Sequence, residues 1–482
     1  MRTSPQFMMR WPGLIFLALA ATSRATQAAP TGFFDSTNAL GSTGSSLDSI
    51  DSDDLSMISP PLLLMRAENV TDTETTKKLP IGSSMIQFSP SAQTKATVPL
   101  YVSAAWNAGR TSPASRAYIV WHGSQRNGQS SFNDVHAALS SAGNNLDTTT
   151  SDILVIALQF YTPNDASKRR LFDSARNLAW QFTGDANTKS RGSTFGLFDG
   201  TDAIAPAGET DPTYGLNGAK ISTFDVLDSV ISYISNRAYY PNMQRITLVG
   251  HSAGGQAISR YMTLNPAVLS GLTGIHIRSV IANAPSMVYF TNDRPDNPAA
   301  QTVVSTRRTS GGAISSNGCD FNDWRYGLQG YMPRYVTARA RDGPGDGLRL
   351  FTSYIAKDVV RLVGTNDVYA LAEGSGDQTC AVLTQGGENR RDRNYAAWAY
   401  LNLLAATNED VSAFYGYANL SQSVHPVAGL GSVFNHQLGI VSGVGHDSTQ
   451  MFASPVGISA LLDDRVQPGP RPPPAPAFES SK

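Results

Sequence analysis

Short, nearly continuous apolar runs alternate along the chain with stretches whose apolar residues recur every three or four positions. The runs of the first kind are VPLYVSAAW from Val98, RAYIVWHG from Arg116, DILVIALQF from Asp152, RITLVG from Arg245, IRSVIANAP from Ile277, VVRLVGTND from Val359 and LGIVSGVGHD from Leu438. Each ends in small or polar residues and reads as a strand buried on both faces. Stretches of the second kind include FNDVHAALSSAG from Phe132 and STFDVLDSVISYISNRA from Ser222. The latter carries Phe224, Val226, Leu227, Val230, Ile231 and Ile234 on one helical stripe behind a capping serine. Strands alternating with helices predict an α/β fold, a mostly parallel central sheet of about eight strands flanked by helices on both faces. In such a sheet the ligand site lies beyond the carboxyl ends of the strands, where the polar clusters of this chain fall.

The ends of the chain follow a different pattern. Arg2 and Arg10 precede the apolar run WPGLIFLALAA, and small residues follow in TSRATQAAP. That layout predicts a secretory signal peptide over 1–28, with cleavage after Ala25 or Ala28. The run is too short to anchor the chain across a bilayer. Residues 29–90 form a Ser/Asp-rich leader, predicted not to order itself for want of apolar surface. Residues 466–482 are a Pro-rich tail that favours extended polyproline II and is expected to be structureless. The folded domain is thus expected over 91–465, with cap or lid insertions at about 161–221 and 286–345.

Composition then narrows the setting. The net charge is −1 among 482 residues, which argues against a nucleic-acid partner and against electrostatic attachment to a membrane. The two cysteines, Cys319 and Cys380, predict one disulfide in an exported chain. Sequons at Asn69 and Asn419 predict glycosylation, so the expected product is a secreted glycoprotein.

The chemistry begins at GHSAG, Gly250 to Gly254, the only G-x-S-x-G in the chain. It follows the run RITLV and opens the helical stretch GQAISRYM, the strand–turn–helix context that such an elbow requires. Ser252 is the candidate nucleophile, with Gly250 and Gly254 relieving clashes in a strained turn. The backbone N–H of Ala253, at a helix start, is a candidate oxyanion donor. A serine hydroxyl needs a base, and the base needs a carboxylate to orient it. Of seven histidines, His446 follows the last strand run in a small-residue loop and is the candidate base. Asp367, just past the run VVRLVGTN, is the candidate acid, with Asp377 as its rival. Asp358 begins the same run and faces the opposite edge. His122-Gly123 follows the RAYIVW run, so the second oxyanion donor is expected from the backbone around Gly123 or Ser124. Arg390, Arg391 and Arg393 form a charge run that reads as a solvated face, with anchoring of an acidic substrate group as the alternative. Phe321, Trp324 and Tyr326 read either as substrate contacts or as core. No motif calls for a metal or an organic cofactor.

Ser252, Asp367 and His446, in that order, together with the His-Gly loop, resemble the α/β-hydrolase superfamily. More narrowly, HGSQRNG, GHSAGGQ, NDWRYGLQGY, QGGENRRDRNYAAW and VGHDSTQMF resemble secreted microbial serine hydrolases, esterase- or lipase-like, of undefined substrate. The resemblance implies an eight-stranded core and hydrolysis of a carboxylic ester, small or polymeric, through a Ser-His-Asp triad and an acyl-enzyme. Two other readings stay open at this point. The same triad serves peptidases and amidases, and the same fold serves as a non-catalytic binding module.

Overall fold

Eight strands form the central sheet: β1 (Ser84–Phe88), β2 (Val98–Val102), β3 (Arg116–Trp121), β4 (Ile153–Leu158), β5 (Arg245–His251), β6 (His276–Ala282), β7 (Asp358–Gly364) and β8 (His436–Val441). Their order across the sheet is β1-β2-β4-β3-β5-β6-β7-β8. β2 runs antiparallel to both β1 and β4, and every other pairing is parallel. This is the α/β-hydrolase arrangement, seen in a computed structural model that describes residues 78–106, 110–167, 169, 171–181, 195–206, 215–264, 266–295, 321–340, 344–368, 380–387 and 389–472.

Helices cover both faces. α1 (Gly128–Ser141), α6 (Ser448–Ala453) and α7 (Pro455–Leu462) pack Phe132, Val135, Leu139, Met451, Phe452 and Leu461 against Val155, Val249, Val280 and Leu362. α2 (Thr223–Ser235), α3 (Ala253–Thr263), α4 (Pro344–Ile355) and α5 (Arg390–Ala405) lie on the other side, over Ile119, Ile156, Leu248 and Ile281. Neighbouring residues of one strand enter opposite cores, which is why these runs read as continuously apolar. The start of α2 is a closed capping box: Ser222 Oγ accepts from Asp225 N at 3.1 Å, and Asp225 Oδ2 accepts from Ser222 N at 2.7 Å. Among the described residues no helix is long and apolar enough to cross a membrane.

Two boundary expectations are corrected. The leader was expected to run to residue 90, yet Ser84–Phe88 is β1, paired with β2 through Ser84↔Val102 to Phe88↔Val98. SMIQF is a short run inside polar sequence, and only its partner strand gives its backbone hydrogen bonds a destination. The Pro-rich tail was expected to be structureless from residue 466. Instead Val466 N donates to Gln437 Oε1 at 2.8 Å and Ile440 N donates to Pro468 O at 2.8 Å. The start of the tail thus covers the open edge of β8, an edge whose backbone groups need partners. The signal segment, the leader through residue 77, Asn69, Cys319 and Asp377 lie outside the described residues, so the expected disulfide to Cys380 does too. Asn419 is exposed at its backbone helix, and its Nδ2 donates to Pro295 O at 2.7 Å.

At the amino edge of the sheet, Asp358 anchors two strands. Its Oδ2 accepts from Arg278 Nε at 2.8 Å and lies 2.8 Å from His276 Nε2. Arg278 also donates to the carbonyls of Asp463 and Asp464 just past α7. Burial works against ionising Asp358, but the bonds from His276 and Arg278 outweigh it and hold its carboxyl below the usual carboxylate range. Because the folded value lies below the unfolded one, Asp358 contributes stability above about pH 4, lost as pH falls through the folded value. Asp358→Asn leaves Arg278 buried without its charge partner, an expected loss of about 3–5 kcal/mol in urea denaturation at pH 7. The gap from the parent protein should narrow below about pH 4.

Candidate functional site

The turn after β5 brings three backbones closer than side chains allow. A Cβ on Gly254 would sit 2.2 Å from Trp121 O of β3, and one on Gly250 would sit 2.4 Å from the carbonyl carbon of Gly254. With those positions reduced to glycine, Ser252 is held at φ 58° and ψ −127°, a conformation that costs a serine about 1–3 kcal/mol. Its N–H is tied to Ala282 O at the end of β6 at 2.9 Å. Ala253 opens α3, so its N–H belongs to the helix turn that lacks intrahelical acceptors. Gly123, from the loop after β3, faces the serine: a Cβ there would lie 3.7 Å from Ser252 Cβ.

The candidate acid and base meet on the neighbouring strands. Asp367 is fully buried three residues past β7, and its Oδ2 lies 2.9 Å from His446 Nδ1. The two loops are laced together: Asn366 N donates to Val444 O at 2.9 Å, and Gly443 N to Thr365 Oγ1 at 2.8 Å. A Cβ on Gly364 would sit 2.3 Å from Val444 O, so this glycine lets the loops close on each other. Ser252 and His446 line one cleft of about 300 Å³ with Gly123, Ser124, Gln125, Asn127, His251, Ser448 and Phe452.

Residues that the sequence did not single out complete this edge. Asn283, just past β6, is buried at φ 45°. Its Oδ1 accepts from Gly364 N at 2.9 Å, and its Nδ2 donates to Gly445 O at 3.0 Å and faces His251 Nε2 at 3.4 Å. One side chain therefore ties the acid loop, the base loop and the residue before Ser252. The rings of His251 and His446 pack with centroids 4.5 Å apart. Burial first, then the nearby His446 and Arg390, hold the His251 imidazole well below its ordinary value, so it is neutral at pH 7. Arg390 is buried at the start of α5 with Nη1 3.5 Å from Asp367 Oδ1, and Arg393, also buried, donates to Pro285 O at 3.1 Å. The charge run expected to be a solvated face is thus largely internal. The signal for this was its place in a helix that is apolar on its remaining faces. Trp324 and Tyr326 are core residues, Trp324 Nε1 donating to Asp199 O at 2.8 Å. Trp121 packs between Phe160 and Phe224.

The loop after β3 is organised by His122. Phe160 N donates to His122 Nε2 at 3.1 Å, which leaves the Nδ1 proton to donate to Gly123 O at 2.8 Å. Burial lowers this imidazole to about 4, keeping it neutral. Arg126 N also donates to Gly123 O, at 3.0 Å. A trans peptide points its N–H away from its carbonyl, so the Ser124 N–H lies on the side opposite these two donors. Of the two expected donors in this loop, Gly123 and Ser124, this geometry favours Ser124. Among the described residues no cluster of His, Cys, Asp and Glu is arranged to hold a metal.

No family model and no curated protein matches the chain in sequence. Solved structures with a similar chain course include a poly(3-hydroxybutyrate) depolymerase from Bordetella parapertussis, at 18% identity and TM-score 0.42 over 80% of this chain and 92% of that one. A poly(aspartic acid) hydrolase from Sphingomonas sp. KT-1 overlaps at 17% identity and TM-score 0.41, over 77% and 96% of the two chains. A siderophore hydrolase from Aspergillus nidulans overlaps at 13% identity and TM-score 0.34, over 82% and 100%. At these values the fold rests on the strand order described above.

Substitutions at two site glycines should separate close approach from ordinary loop freedom. Gly254→Ala must displace the Trp121 carbonyl and is expected to cost about 1–3 kcal/mol in urea denaturation. Gly445→Ala, whose Cβ would meet nothing nearer than 3.5 Å, is expected to stay within about 0.5 kcal/mol of the parent.

Proposed function

We propose that the protein is a serine hydrolase that cleaves carboxylic esters. The observation that carries this reading is the meeting of an elbow-held Ser252 and a His446–Asp367 pair in one cleft. His446 Nε2 would take the proton of the Ser252 hydroxyl as the oxygen attacks the ester carbonyl. Asp367, bonded at Nδ1, holds the ring in that tautomer and stabilises the imidazolium that forms. The N–H groups of Ala253 and Ser124 receive the tetrahedral oxyanion. His446 then protonates the departing alcohol, and water, deprotonated by the same ring, releases the acyl group from Ser252. His122 and His251 are neutral supports in this scheme.

The walls of the cleft bear on the substrate. Ser124, Gln125, Asn127, Ser130, Ser131 and Ser448 line it, with Val120, Trp121 and Phe452 as its apolar members. Such a surface suits an ester with hydrogen-bonding groups on its acyl or alcohol part better than a long alkyl chain. The proposed setting is outside the cell, reached through the signal segment over 1–28.

Turnover of a p-nitrophenyl ester and labelling by a fluorophosphonate test the reading together. Ser252→Ala and His446→Ala are each expected to remove turnover by at least about 10⁴-fold, and Ser252→Ala to abolish the label. Asp367→Asn should stay folded and lose about 10³–10⁴-fold. A folded Asp367→Asn protein within threefold of the parent would remove that carboxylate from the mechanism. Faster cleavage of matched anilides than of esters would turn the reading to an amidase, and a parent protein that takes no label would turn it to a binding module.

A further inference from the structure

We infer that Asp165, in the insertion after β4, is a positioning residue that sets the second oxyanion donor through Arg126 and Arg169. The inference rests on the hydrolase reading and adds to it a part that touches neither substrate nor Ser252.

The segment from Gly123 to Arg126 has each of its carbonyls taken up by a hydrogen bond. Gly123 O accepts from the His122 ring at 2.8 Å and from Arg126 N at 3.0 Å. Ser124 O accepts from Arg126 Nη1 at 3.4 Å, and Gln125 O from Arg169 Nη2 at 2.5 Å. Arg126 O accepts from Gln159 Nε2 at 2.9 Å and from Arg169 Nη1 at 3.0 Å. Each captured carbonyl turns its peptide N–H the other way; of the four residues carrying those N–H groups, Ser124, Gln125 and Asn127 line the cleft, while the Arg126 N–H is the one bonded to Gly123 O.

This arrangement is not the one the loop would choose by itself. Arg126 sits at φ 55°, where an L residue with a side chain is disfavoured. The strain is held by Asp165. Its Oδ2 accepts from Arg126 Nε at 2.9 Å, its Oδ1 accepts from Arg126 Nη2 at 2.7 Å, and Arg169 Nε lies 3.4 Å from Oδ1. Thr162 fixes the carboxylate in turn, donating to Oδ2 from its N at 2.8 Å and from Oγ1 at 3.0 Å. The carboxylate is 1% exposed. Burial opposes its ionisation, but the bonds from Arg126 and Thr162 outweigh that and keep it below the usual carboxylate range, so it is charged wherever the protein is folded near neutrality.

A bidentate arginine–carboxylate pair fixes direction as well as distance. Without it, the two guanidinium groups no longer hold the carbonyls of Ser124, Gln125 and Arg126, and the turn that brings Arg126 N to Gly123 O keeps only His122 and Gln159 as side-chain anchors. The Ser124 N–H then loses the rigidity of its aim, which weakens a donor that must meet the oxyanion without reorganising. Such a change acts on the transition state and leaves ground-state binding nearly untouched.

The experiment compares the parent chain with Asp165→Asn and Arg169→Met. It measures kcat and KM on a p-nitrophenyl ester, inhibition by an alkyl boronic acid that forms a tetrahedral adduct, and thermal melting by circular dichroism. Expected for each folded variant is a fall in kcat of about 10–100-fold, below the 10²–10³-fold for outright loss of an oxyanion donor. KM should stay within threefold, and boronate affinity should fall by the same factor as kcat/KM. Folded variants with parental kcat, or with lower kcat and unchanged boronate affinity, overturn the inference while leaving the hydrolase reading in place. If Asp165→Asn does not fold, Arg169→Met, which alters a half-buried residue, decides the matter alone. A parent protein that neither turns over ester nor takes a fluorophosphonate label overturns the hydrolase reading and this inference with it.

Discussion

One close approach governs the site: the backbone of Gly254 against the carbonyl of Trp121, at a distance that no side chain permits. It brings the start of α3 over the end of β3, and Ser252 is left in a conformation that serine would not choose. The strain persists because the sheet on one side and the buried helix on the other over-determine the turn. Ile258, Tyr261 and Met262 of α3 are all within the core, so the helix cannot lift to relax it. The same packing leaves the hydroxyl at the edge of a cleft and the first N–H groups of the helix turned toward it. A weaker sheet could not hold such a turn, and a looser turn could not aim the oxygen.

β7 shows how burial of charge divides the two edges of the sheet. The aspartate at its start, Asp358, is held by Arg278 and His276, and the aspartate just past its end, Asp367, by Arg390 and His446. Both carboxylates sit in interiors where an unpaired charge would cost several kcal/mol. The difference lies in how far the partner is exposed. At the amino edge the guanidinium of Arg278 is locked by backbone carbonyls of the chain after α7, and the assembly staples strands together. At the carboxyl edge the imidazole partner, His446, keeps 27% of its side chain exposed and lines the cleft beside Ser252.

The other two histidines near Ser252 have the opposite character. His122 and His251 are both depressed by burial, the first to about 4 and the second well below its ordinary value. A ring that cannot take a proton near neutrality is a fixed hydrogen-bonding plate. His122 uses both nitrogens, one to accept from Phe160 and one to orient the Gly123 carbonyl, while His251 packs tilted against His446 and meets Asn283. Three imidazoles in one small region can therefore do different work, because their exposure differs rather than their chemistry.

Local sequence determined much of this protein. Continuous apolar runs between helical stripes are enough for a two-faced sheet, because each strand must satisfy a core on both sides. G-x-S-x-G between a strand and a helix is enough to mark Ser252, since the glycines are required by the turn itself. The order of the small-residue loops after β7 and β8 is enough to bring Asp367 and His446 forward, because parallel strands end at one edge. The tertiary structure alone decided the rest. β1 exists only because β2 offers it a ladder, and the first residues of the Pro-rich tail are ordered only because β8 has an open edge to cover. Asn283, Arg390 and Asp165 matter through partners more than twenty residues away in the chain, such as Asn283 with Gly445 and Asp165 with Arg126. No local pattern encodes such pairings, since a buried polar side chain acquires its meaning from whichever donors and acceptors the folded backbone brings to it.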